Sequence, residues 1–260
     1  MNAGGPHNLP IPDAPVQSAE DFRQRFAVVR ARVDAACSAA GRDPMEVRIL
    51  PVSKTVEEAR IRFAVEAGCR EFGENKVQEA LRKAHALSEL EIRWSVIGHL
   101  QSNKAKYVAR FAHEFQALDS LDLAEQLNRR LQTQGRKLDV YVQVNSSGET
   151  SKYGLDPDEV GVFLHRLAPY SFLRVRGLMT LAVFSPDPER VRGCFALMRR
   201  LRERLCQESR LAEQLQELSM GMSSDFEIAI GEGATVVRIG QALFGPRPLP
   251  DSHYWPARSG

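Results

Sequence analysis

The chain has 260 residues, 43% of them hydrophobic and 26% charged, with a formal net charge of +2. That length fits one large α/β domain or two smaller ones, and the apolar fraction suffices for a sizeable core. The near-neutral balance argues against a nucleic-acid partner, and no apolar run approaches the roughly 18 residues of a membrane span.

Residues 1–17, rich in Pro, Gly and Asn and without a signal-peptide core, read as a disordered leader. Ser18 caps a first helix that runs to about Ala40 and stops at Gly41, with Phe22, Phe26, Val29 and Val33 at helical spacing. From Val47 onward short apolar runs alternate with helical stretches. Strands are predicted over Val47–Ser53, Glu71–Gly73, Ile92–Ile97, Phe115–Leu118, Leu138–Val144, Leu173–Met179, Glu217–Met220 and Thr235–Ile239. Between them helices are predicted over Glu57–Ala67, Val77–Leu87, Asn103–Arg110, Ser120–Gln134, from Asp156-Pro157, over Pro188–Glu208 and from Ser223. The cysteines, Cys37, Cys69, Cys194 and Cys206, lack the paired spacing of zinc or redox sites. They read as free thiols in a reducing cytoplasm.

Eight strands alternating with helices indicate a parallel sheet, and about 210 residues for eight units match a compact (β/α)8 barrel. A doubly wound sheet would carry a glycine-rich first turn, whereas the first turn here is Ser53-Lys54-Thr55. The expected architecture is therefore a single (β/α)8 TIM barrel over residues 18–246 with an extra N-terminal helix, flanked by the leader and a tail over 247–260.

In such a barrel the strand C-termini carry the chemistry. Lys54 lies at the first of them; a partly desolvated lysine there can lose its proton and form a Schiff base with an aldehyde. Ser223-Ser224-Asp225 after the seventh strand and Gly240-Gln241 after the eighth sit where the fold usually builds a phosphate cradle. Read singly, Ser223 is an ordinary N-cap and Gly240 an ordinary turn. Arg238 interrupts an apolar strand and must be paired when buried; its partner is a phosphate, a carboxylate, a ring nitrogen or a structural acid. Gly73-Glu74-Asn75, Gly98-His99, Asn145 and Met179-Thr180 reach the same face. His99 is an acid/base candidate or a hydrogen-bonded structural group. Lys104 and Lys106 offer a basic rim, and Lys152 a second lysine near the mouth, or all three are solvated. No zinc-ligand pattern, Walker loop or Gly-x-Ser-x-Gly elbow is present.

Taken in order, Val52–Thr55, Phe72–Glu79, Trp94–Lys104, Leu178–Leu181, Leu218–Ser223 and Val237–Gly240 resemble the pyridoxal phosphate homeostasis protein family. The resemblance spans about residues 18–246 and departs at Ser224-Asp225, where the family often has two acids. It implies a barrel like the N-terminal domain of alanine racemase, with pyridoxal 5'-phosphate held as a Schiff base on Lys54. By the same mapping Ser223 and the Gly240 backbone face the phosphate, Arg238 faces the pyridine nitrogen, and Asn75 and Met179 line the ring pocket. Racemases of this barrel add a β-rich domain that brings a second acid/base, and this chain ends soon after Pro246. The expectation is a monomeric cytoplasmic carrier, acting in vitamin B6 and amino-acid homeostasis and passing cofactor to apoenzymes, rather than an enzyme. The alternatives are an amino-acid racemase using Lys54 with Lys152 or His99, and a phosphate-binding barrel enzyme without pyridoxal phosphate.

Overall fold

A computed structural model describes residues 14–208 and 215–246 of the chain. Eight parallel strands, β1 (Arg48–Pro51), β2 (Glu71–Glu74), β3 (Arg93–Val96), β4 (Ala112–Leu118), β5 (Leu138–Gln143), β6 (Leu173–Met179), β7 (Glu217–Met222) and β8 (Val236–Ile239), pair in the order β1-β8-β7-β6-β5-β4-β3-β2. The ring closes through a parallel bridge between Val52 and Gly73 and the bond from Ser53 N to Gly73 O. The expected (β/α)8 barrel is thus the observed architecture.

Helices cover the outside: α1 (Ala19–Ala39), α2 (Glu58–Glu66), α3 (Val77–Ala86), α4 (Ala105–Phe111), α5 (Leu121–Gln134), α6 (Val160–Leu167), α7 (Pro188–Glu208), α8 (Phe226–Gly231) and α9 (Gln241–Phe244). Their ends follow local chemistry. The Ser18 and Ser120 hydroxyls accept from Asp21 N and Leu123 N and so cap α1 and α5. Gly135 ends α5 in the left-handed region at φ 61°. α1 buries Phe22, Val29, Val33 and Cys37 and packs on α2, α8 and α9. No helix among the described residues is long and apolar enough to cross a membrane.

Several boundaries differ from the sequence expectations. Ordered chain starts ahead of residue 18, because Val16 is buried and its N–H donates to Phe244 O. Residues 1–13 of the expected leader and the whole expected tail, 247–260, lie outside the described residues. β4 begins at Ala112 rather than Phe115 because its first residues already pair with β3. α6 begins at Val160 rather than Asp156: the Asp156 carboxylate accepts from Asp158 N and closes a turn there instead of starting a helix. α8 likewise begins at Phe226, because the Asp225 carboxylate accepts from Met222 N and makes residues 222–225 a turn. Ser223 therefore lies in a loop and is not a helix cap.

Candidate functional site

The six residues singled out as a binding set, Lys54, Asn75, Met179, Ser223, Arg238 and Gly240, all sit at strand C-termini on one end of the barrel. Lys54 and Gly240 line one cleft at the β1–β8 seam, together with Val52, Thr55 and Gln241. Gly240 approaches β1 so closely that a Cβ on it would lie 3.3 Å from Val52 O. Met179 is buried at the end of β6, level with Ser219. Ser223 follows directly on the Met222–Arg238 pair of β7 and β8 and is half-buried. Asn75 directly follows β2, and its backbone carbonyl occupies the space that a Cβ on Gly98 would need.

Arg238 is 4% exposed and points into the barrel. Its Nη1 donates to Ser219 Oγ at 2.8 Å and its Nη2 to Thr180 O at 2.7 Å. Both acceptors are neutral, and it has no salt bridge among the described residues. Burial lowers its pKa to about 10, with the Asp225 carboxylate opposing that shift through space. It is therefore a buried cation with spare capacity for an acceptor.

Below Arg238 the barrel interior is polar. Ser219 Oγ donates to Gln116 Oε1, and Gln116 Nε2 donates to Glu114 Oε1. Glu114 also accepts from Ser95 Oγ and from Arg48 Nη2. Arg48 in turn reaches Glu71 and the Tyr141 hydroxyl, which donates to Glu217.

Behind Lys54, between the sheet and α3, lies a second cluster. Lys83 is fully buried, and its Nζ donates to Glu74 Oε1 (2.8 Å), Glu79 Oε1 (2.7 Å) and Ser53 O (2.7 Å). Ser53 Oγ donates to the same Glu74 oxygen, and Glu79 Oε1 accepts from Thr55 N. Burial raises the Glu74 carboxyl pKa, against the pull of Lys83 and Ser53.

The other candidates are engaged elsewhere on the rim. His99 stacks on Tyr153, with ring centroids 3.7 Å apart, and its Nδ1 lies 3.5 Å from Asp119 Oδ2. Lys152 Nζ pairs with Glu149 and donates to Ala182 O, tying the loop after β5 to the loop after β6. Lys106 lies over the Tyr107 ring and Lys104 in a 3-10 turn, Ser102–Lys104. No group among the described residues has the His, Cys, Asp and Glu content to hold a metal ion.

Sequence reasoning missed the Ser53–Glu74–Glu79–Lys83 cluster and the chain below Arg238. One signal was available for the first: Lys83 falls on the buried stripe of α3 with Val77 and Ala80, where a lysine needs a partner. The second pairs residues far apart in sequence, and no local pattern announces it.

Chemically, the mouth combines a primary amine, a hydroxyl, a glycine backbone and a buried cation with no salt bridge among the described residues. That donor set fits a small anionic aldehyde: the amine can condense with the carbonyl, and the other groups can hold negative charge and a ring acceptor.

Comparisons agree. The chain matches the family "Alanine racemase, N-terminal domain" over residues 27–248. It is 44% identical over 225 residues to the pyridoxal phosphate homeostasis protein of Pseudomonas aeruginosa, covering 86% of this chain and 95% of that one. It is 40% identical over 224 residues to the protein of the same name from Aquifex aeolicus, covering 86% and 97%. The structure of PipY of Synechococcus elongatus with pyridoxal phosphate bound superposes with a TM-score of 0.75 at 36% identity, over 86% of this chain and all of that one. An alanine racemase of Clostridium difficile shares the fold at a TM-score of 0.66 and 15% identity, over 89% of this chain and 58% of that one.

Proposed function

We propose that this chain, which belongs to the pyridoxal phosphate homeostasis protein family, holds pyridoxal 5'-phosphate in the barrel mouth and serves to store and deliver it within vitamin B6 and amino-acid homeostasis. When bound, the cofactor supplies an aldehyde whose oxygen leaves as water when a primary amine condenses with it to a Schiff base. Lys54 is the residue that offers this amine. The Ser223 hydroxyl and the Gly240 backbone hold the phosphate, Arg238 faces the ring nitrogen, and Asn75 and Met179 line the ring. The observation that carries the reading is the sharing of one cleft by Lys54 and Gly240, with the buried Arg238 two residues before Gly240 on β8.

Arg238 also favours holding over turnover. A buried guanidinium against the ring nitrogen opposes a proton there, which weakens the ring as an electron sink. Lys152, one candidate partner for two-sided proton transfer, is occupied by Glu149 and Ala182 O. The relatives are named for homeostasis rather than for a reaction.

The test is the absorption spectrum of the purified protein with added pyridoxal phosphate, before and after borohydride, followed by peptide mapping. A visible band that collapses on reduction, with the pyridoxyl group on Lys54, is the expected result. A protein that stays colourless overturns the reading and returns the barrel to a generic phosphate site. Deuterium exchange at the α-carbon of alanine above that of free cofactor would favour the racemase alternative.

A further inference from the structure

The segment that carries Lys54 is held from behind. Thr55 has φ 64°, a left-handed conformation that a β-branched residue adopts only when its surroundings impose it. Ser53 O accepts from Lys83 Nζ, and Thr55 N donates to Glu79 Oε1, so the carbonyl before Lys54 and the amide after it are both clamped to α3. Ser53 Oγ is fixed on Glu74, which shares the Lys83 ammonium. The ammonium is 0% exposed and makes a bond to each of three acceptors. A charge so deeply buried is costly unless every donor is met. Packing alone would be served as well by a methionine or leucine on this stripe of α3.

We infer that Lys83, with Glu74 and Glu79, is a brace that positions Lys54 for bond formation with an aldehyde, by locking the Ser53–Thr55 backbone in a strained turn. The inference rests on Lys54 being the cofactor lysine. The brace acts through the peptide groups on either side of Lys54. Its contribution is to orientation, so it bears on covalent capture more than on non-covalent binding of phosphate and ring.

The experiment measures two quantities on the full chain. One is the fraction of Lys54 trapped by borohydride at a fixed, sub-saturating pyridoxal phosphate concentration. The other is the affinity for pyridoxine 5'-phosphate, which carries an alcohol where the cofactor has its aldehyde. Lys83→Met is expected to lower the trapped fraction at least about tenfold while changing analogue affinity less than about threefold. Adding Thr55→Gly is expected to restore trapping, since glycine holds a positive φ unaided. Should Lys83→Met fail to fold by circular dichroism, Glu79→Ala leaves the Lys83–Glu74 pair intact, removes the Thr55 acceptor and is expected to shift the same ratio in the same direction. Trapping at the wild-type level in a folded variant overturns the inference. So does a parallel loss of trapping and analogue binding that glycine does not rescue, since that marks a general packing role. Wild-type protein that yields no adduct on Lys54 removes the cofactor reading itself, and the inference with it.

Discussion

Arg238 at the mouth of the barrel and Arg48 at its floor are joined by an unbroken chain of hydrogen bonds through Ser219, Gln116 and Glu114. The donors run from both arginines toward the Glu114 carboxylate, which is the one anion in the chain. Ser219 can turn its proton to Gln116 because it accepts from Arg238, so each side chain's rotamer depends on the next.

Glu114→Ala removes the anion that Arg48, Ser95 and Gln116 share. Arg48 keeps Glu71, but two neutral donors in the barrel lose their acceptor. The expected loss is about 3 kcal/mol of unfolding free energy, read as a fall in the urea midpoint. A change below about 0.5 kcal/mol, the scale of an ordinary surface substitution, would show that the chain is not a source of stability.

Gly98→Ala tests the mouth from a different side. The added Cβ would sit 2.2 Å from Asn75 O, a backbone atom, so Asn75 must move. If Asn75 lines the ring pocket, affinity for pyridoxal phosphate is expected to fall at least about tenfold, in line with the cost of displacing positioning groups. Equilibrium titration of the visible band measures it, and unchanged affinity removes Asn75 from the pocket.

Acid sensitivity is expected from the floor of the barrel. Burial pushes the Glu71 carboxyl up, but Arg48 and Arg93 outweigh it and hold the group below its ordinary value. A depressed carboxyl contributes stability that is complete above the unfolded value, about 4.3, and is lost as pH falls through the folded one. Glu74, Asp119 and Asp225 are shifted the opposite way by burial and favour the fold as they take up protons. Urea midpoints between pH 6 and pH 3 should therefore fall less steeply in Glu71→Gln than in the wild type. Parallel curves would exclude Glu71 as a source of the acid limb.

Cys69 should be inert in the native state. Burial raises its thiol pKa to about 11, with Arg70 opposing only in part. Almost no thiolate is present at neutral pH, and the thiolate is the reactive form. Alkylation at pH 7.5, followed by peptide mapping, should be slow on Cys69 and become fast once urea is added. Equal rates with and without urea would contradict the burial.

The strand ends that build the mouth were legible because each apolar run stops at a polar or glycine residue: Lys54 after Val52, Asn75 after Gly73, Gly240 after Ile239. The barrel followed from their rhythm. Helix starts were less legible where an acid near a proline or serine mimics a cap. Asp156-Pro157 looks like a helix N-terminus, yet the Asp156 carboxylate bonds Asp158 N in a turn of its own. Ser223 looks like a cap, yet Asp225 folds back on Met222 N. What supports the site was illegible for another reason. The stripe of α3 marks Lys83 as a lysine in need of partners but not which ones, and only the closure of β1 against β2 brings Ser53 to the Lys83–Glu74 pair.

The seam between β1 and β8 is where the first and last strands of the barrel meet. A ligand held as proposed, joined to Lys54 and resting on Gly240, would span that seam and act as a clasp on a ring otherwise closed there by strand pairing. A ligand bound only to the folded form stabilises it by linkage. Occupancy should then be written into the lifetime of the whole fold: the loaded protein should resist proteolysis and unfold more slowly than the empty one, so that how long a molecule persists reports how much cofactor is at hand.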